Sequence, residues 1–71
     1  MNGLTTDHLV RIASAGAGFR ISARRGINDL VKIASAASNH QARIVVYGTD
    51  LMTPDDLVRV GEAGKGAVFF E

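Results

Sequence analysis

Few side chains in this sequence have types and spacing that could do chemistry. Gly16-Ala17-Gly18 and Gly64-Lys65-Gly66 look like fragments of phosphate-cradling loops. Such a loop follows a strand and opens a helix, so that the helix N-terminus faces the anion. Here both segments lie between a helical pattern and a strand pattern, at the wrong helix end, and they read as helix terminators. His8 and His40 have no second histidine at ligand spacing, and the acidic residues near them are better used as caps. Ser14 or Ser35 as a nucleophile would need a base and an oxyanion site that the sequence does not supply. The sequence therefore offers no catalytic residue, no metal ligand set and no cofactor motif, and the expectation is a non-enzymatic protein.

The arginines are better placed. Arg24 and Arg25 precede the second helical pattern and Thr49 precedes the third, so all three lie beyond the carboxyl ends of strands, where open parallel sheets bind ligands. They form a candidate site for an anion or nucleotide, although loops this short make a deep pocket improbable. Arg20, Arg24, Arg25 and Arg43 with Tyr47 have the composition of a sheet that stacks single-stranded nucleic acid. One aromatic and a formal net charge of +1 make that platform weak, so nucleic acid stands as an alternative partner. Arg11, Lys32 and Arg59 occupy equivalent positions in three similar segments and would stack in a column. Asp7, Asn28 and Asp55 lie four residues before them, which favours paired helix surfaces over a recognition column.

Those three segments are copies of one unit. Leu9-Val10-Arg11-Ile12-Ala13-Ser14-Ala15 returns as Leu30-Val31-Lys32-Ile33-Ala34-Ser35-Ala36 and, more loosely, as Leu57-Val58-Arg59-Val60-Gly61-Glu62-Ala63. A period of about 20 to 30 residues marks stacked supersecondary units that bury their apolar faces against one another. The units span about 4–25, 26–50 and 51–71 of a single domain. Over Thr5 to Gly18 against Thr53 to Gly66, half or slightly more of the positions are identical. Thr5 and Thr53 are N-caps, Asp7, Asp55 and Asp56 load the first turns, and Pro54 opens the third helix. The second helix starts near Gly26 or Asn28 and ends around Ser38-Asn39, with Asn39 able to adopt the left-handed stop.

Strands follow the helices. Phe19 to Arg24 alternates apolar and polar residues, Ala42 to Tyr47 is the most apolar run and hence central, and Ala67 to Glu71 closes the sequence. Three similar helices argue for similar environments, so the expected fold is a two-layer αβαβαβ domain, with a mainly parallel sheet in the order 1-2-3 and helices on one face. It is similar in architecture to a very short α/β solenoid, such as a fragment of a leucine-rich-repeat stack, without that family's consensus.

Helices on one face leave the other bare. With Phe19, Ile21 and Ala23 inward, Arg20, Ser22 and Arg24 point outward, and the matching outward sets are Arg43, Val45 and Tyr47, then Val68 and Phe70. The other register for strand three puts Phe70 inward and Phe69 outward, and either leaves one phenylalanine exposed. An apolar patch with aromatic residues and arginines at its margin has the composition of a protein interface. Arg43, Val45, Tyr47, Val68 and Phe70 are thus the candidate interface, at the open face or beside an open strand edge.

Size and composition fit this reading. Seventy-one residues approach the lower limit for one self-sufficient core, and no cysteine can supply a disulfide. Self-association or a protein partner is the obvious relief. No apolar run is long enough to span a membrane, and Asn2, Thr5, Thr6 and Asp7 stand where a signal peptide would carry its basic and apolar regions. The expectation is a cytoplasmic, bacterial protein acting as an adaptor, accessory or regulatory module.

Overall fold

The computed structural model describes residues 5–71; Asn2 and the expected start of the first unit at residue 4 lie outside them. Helices and strands alternate as α1 (Thr6–Ser14), β1 (Phe19–Ser22), α2 (Ile27–His40), β2 (Ile44–Tyr47), α3 (Pro54–Gly64) and β3 (Val68–Phe70). Short 3-10 turns, Ala23–Arg25 and Thr49–Leu51, follow β1 and β2. The strands form one parallel sheet in the order β1-β2-β3. α2 packs between α1 and α3, and all three helices send side chains into one core on one side of the sheet. This is the expected two-layer αβαβαβ architecture, with β2 central as its apolar run implied. Among the described residues no helix is long and apolar enough to cross a membrane.

Local chemistry fixes the helix starts. The Thr5 hydroxyl accepts the His8 N–H at 3.2 Å while His8 Nδ1 receives the Thr5 N–H at 3.5 Å, a reciprocal capping box. Thr53 and Asp56 make the same exchange at the start of α3, at 3.2 and 3.4 Å. His8 therefore does in the first unit what Asp56 does in the third. Thr53→Ala is expected to lower the unfolding free energy by about 1 kcal/mol, the usual worth of an N-cap side chain, as a shift of the urea midpoint at unchanged slope. α2 has no side-chain cap and starts after Gly26, whose φ of 101° a side chain would resist.

The helix ends obey a common rule. A residue with left-handed backbone, Gly16, Gln41 or Lys65, stands three positions before the first residue of each strand, Phe19, Ile44 or Val68. After α1 the Gly16 N–H bonds to the Ala13 carbonyl at 2.9 Å and the Ala17 N–H to the Ile12 carbonyl at 3.3 Å, satisfying carbonyls that the helix end would orphan. α2 does not stop at Asn39 as expected. Its buried face of Leu30, Ile33, Ala34 and Ala37 ends before Ser38, the helix runs on through exposed Asn39 and His40, and Gln41 takes the turn, its N–H bonding to the Ala37 carbonyl.

The two glycine pairs divide their work differently from the expectation that both simply end helices. Gly16 is a stop, whereas Gly64 is the last residue of α3, and a Cβ there would lie 2.5 Å from the Val68 Cγ2. A Cβ on Gly18 would collide with the Arg43 carbonyl oxygen. Both positions mark close approach of backbone to its neighbour.

Leu9 and Ala13 of α1, Leu30, Ile33, Ala34 and Ala37 of α2, Val60 of α3 and Ile21, Ile44 and Val46 of the sheet form the buried core. No polar side chain is buried among the described residues.

Candidate interaction surface

Strand register decides which residues face outward. Phe19 pairs with Ile44 and Ile44 with Val68; Arg20 pairs with Val45 and Val45 with Phe69; Ile21 pairs with Val46 and Val46 with Phe70. Paired residues of parallel strands share a face, and faces alternate along each strand. Ile21, Ile44 and Val46 are buried under the helices, so Arg20, Ser22, Val45, Tyr47, Phe69 and Glu71 belong to the open face.

This corrects the outward assignment of Val68 and Phe70. Val68 packs against Gly64 and the core, and Phe70 shares its side of the sheet, 39% exposed on an edge strand. Phe69, 48% exposed, takes the open face. The physical reason is a single residue. Thr5 and Thr53 are 48 positions apart, but Phe19 and Val68 are 49 apart, because α3 holds one more residue before its left-handed stop. A slip of one exchanges the faces of an entire strand.

Two arginines lie beyond the ends of their strands. β1 ends at Ser22, whose hydroxyl accepts the Arg24 N–H at 3.1 Å, so Arg24 sits on the following 3-10 turn. Arg43 precedes β2, its carbonyl accepts the Phe19 N–H at 3.2 Å, and it lines a depression of about 340 Å³ with Gln41 and Lys65 at the amino ends of the strands. Of the nucleic-acid set, Arg20 meets Tyr47 and Arg24 lines a depression with it, while Arg43 lines the separate depression at the amino ends of the strands.

Arg20 reaches across all three strands. Its Nε and Nη2 both donate to Glu71 Oε1, at 3.1 and 2.8 Å, while its Cζ lies 4.3 Å from the centroid of the Tyr47 ring. A guanidinium stacked on a phenol ring and paired with a carboxylate combines cation–π attraction with a charge-assisted hydrogen bond. Glu71 is held in place by its main chain: its N–H donates to the Val46 carbonyl at 2.8 Å, and its main-chain oxygen accepts the Thr49 hydroxyl at 2.7 Å. Both side chains of the ion pair are more than half exposed, so it adds at most about 1 kcal/mol to the folded state. Glu71 escaped sequence reasoning because its tie to Arg20 depends on the register of β3; an acidic residue two positions beyond Phe69 was the available signal.

The anion site is rearranged too. Thr49 spends its hydroxyl on the Glu71 main chain. Arg24 lines a depression of about 450 Å³ with Ser22, Tyr47, Gly48 and Asp50, so a carboxylate shares the space. Arg25 is half-buried on the 3-10 turn after β1. Arg11, Lys32 and Arg59 each stand six positions after the N-caps Thr5, Gly26 and Thr53, and the extra turn of α2 follows Lys32. Lys32 shares the groove between α1 and α2 with Asp7. Among the described residues, neither Asp7 with Arg11 nor Asp55 with Arg59 closes an ion pair. Among them, too, no three of His, Cys, Asp and Glu come close enough to hold a metal ion.

No protein-family model, no curated protein and no solved structure matches this chain.

Proposed function

We propose that the protein is a small non-enzymatic interaction module, an adaptor, accessory or regulatory protein that docks on a protein surface, in the first instance a second copy, through its open sheet face. The observation that supports this reading most is the bare side of the sheet. Parallel sheets are found almost only with both faces covered, yet here Val45, Tyr47 and Phe69 lie on a face that no element of the described chain overlays. Covering it removes aromatic surface from water at about 25 cal/mol per Å². The absence of cysteine suits a reducing cytoplasm.

Size-exclusion chromatography with light scattering at several hundred micromolar tests the reading. The native protein is expected above monomer mass, and Phe69→Asp, which places a charge on the face and touches no core residue, is expected at monomer mass with an unchanged circular dichroism spectrum. Native protein that remains monomeric at that concentration, with or without the substitution, would count against self-association through this face.

A further inference from the structure

Charge on the open face selects one way for two copies to meet. Arg20 stands on β1, one outer strand, and Glu71 follows β3, the other, with Tyr47 of the central strand between them. Two sheets packed face to face by a two-fold axis have two simple arrangements. With the axis across the strands, β1 lies over β1 and β3 over β3, so that Arg20 meets Arg20 and Glu71 meets Glu71. With the axis along β2, β1 of each copy lies over β3 of the other, and Arg20 meets Glu71. Like-charge juxtaposition in an interface is strongly unfavourable. Resting on the docking reading above, we propose that the protein forms a face-to-face homodimer about a two-fold axis along β2, in which each Arg20 pairs with Glu71 of the other copy.

The details favour this occupant. Both donors of Arg20 converge on Oε1 of Glu71, so Oε2 stays available to a second guanidinium. Arg20 is level with Val45 and Phe69 in the register, so its aliphatic stem would cover Phe69 of the facing sheet while its head reaches the carboxylate one pleat further on. Val45 and Tyr47 would meet their own copies on the axis.

The pairing is tested by exchanging charges between copies. Arg20→Glu and Glu71→Arg each place like charges against one another in the homodimer and are expected to weaken it about tenfold or more. Mixed in equal amounts, the two make a heterodimer in which both crossed pairs are attractive, and native mass spectrometry, which separates the two by mass, is expected to show heterodimer in large excess over either homodimer. The double variant Arg20→Glu with Glu71→Arg in one chain is expected to dimerise as the native protein does, and it shows that the reversed residues permit folding. Because the two single variants also differ in net charge, Arg20→Glu is mixed in parallel with Glu62→Arg, whose added charge lies on exposed α3; no comparable excess of heterodimer is expected. A native dimer that Phe69→Asp dissociates, but whose charge-reversed variants show no preference for each other, overturns the crossed pairing and leaves docking through the face intact. A native monomer at several hundred micromolar overturns the homodimer.

Discussion

Ile33→Ala is expected to lower the unfolding free energy by about 2–5 kcal/mol, the range for truncating a fully buried aliphatic side chain to alanine. Ile33 is 0% exposed, on the central helix of the helical layer. Its methyls therefore fill space that no single neighbour can move to occupy, and a cavity that cannot collapse costs the most. A domain of this length has a total stability of roughly 4–10 kcal/mol, so the substitution removes a large share of it and lowers the melting temperature by about 10 °C or more. Val58→Ala is the matched control. Val58 is 56% exposed on α3, and its truncation is expected to stay within about 0.5 kcal/mol. Equal losses at the two positions in urea titrations would contradict the assignment of α2 to the centre of the core.

Gly18→Ala is the second large effect. Its Cβ would meet the Arg43 carbonyl oxygen, with the Arg43 carbon at 3.2 Å and nitrogen at 3.3 Å. These are backbone atoms, and the same carbonyl accepts the Phe19 N–H that starts the pairing of β1 with β2. Neither partner can turn aside as a side chain would, so the loss is expected at or above the upper end of the 1–3 kcal/mol usual for overpacking. Gly61→Ala should act in the opposite direction. Gly61 lies within α3 with nothing within 4 Å of a Cβ built there, and alanine there is expected to stabilise by about 0.5–1 kcal/mol. Paired chemical denaturation of the two variants measures both signs; a stabilised Gly18→Ala would show that β1 does not approach β2 this closely.

The layered fold was legible from residues that act locally. Thr5, Thr53 and Pro54 mark helix starts by chemistry that needs no distant partner, and the apolar run Ile44 to Tyr47 identifies the central strand. What stayed hidden depended on Lys65. Sequence reasoning looks for a left-handed turn at glycine or asparagine, and Gly64 offered one, but the chain places Lys65 there at φ 49°. That shift of one residue moved β3 to the other register, brought Phe69 to the open face and removed Val68 and Phe70 from it. Gln41 misled in the same manner at the end of α2, at φ 59° where Asn39 was expected. The candidate surface was accordingly half visible: Val45, Tyr47 and Arg20 followed from alternation alone, whereas Phe69 and Glu71 required the register of β3. Pairings between distant segments carry little local signature, and Arg20 and Glu71 are separated by 51 positions.

The constant distance from left-handed residue to strand also says where a chain of this design can change length. Two residues separate Gly16 from Phe19, Gln41 from Ile44 and Lys65 from Val68, while the helices before them differ by more than a full turn. An insertion on the far side of a helix, near its N-cap, leaves the strand anchored and merely lengthens a helix or a loop. An insertion of one residue between helix stop and strand turns that strand's buried side chains toward water. Duplication and divergence of such a unit would thus be tolerated at the carboxyl ends of the strands and refused at the amino ends, and the open face keeps its pattern only as long as that short spacer is preserved.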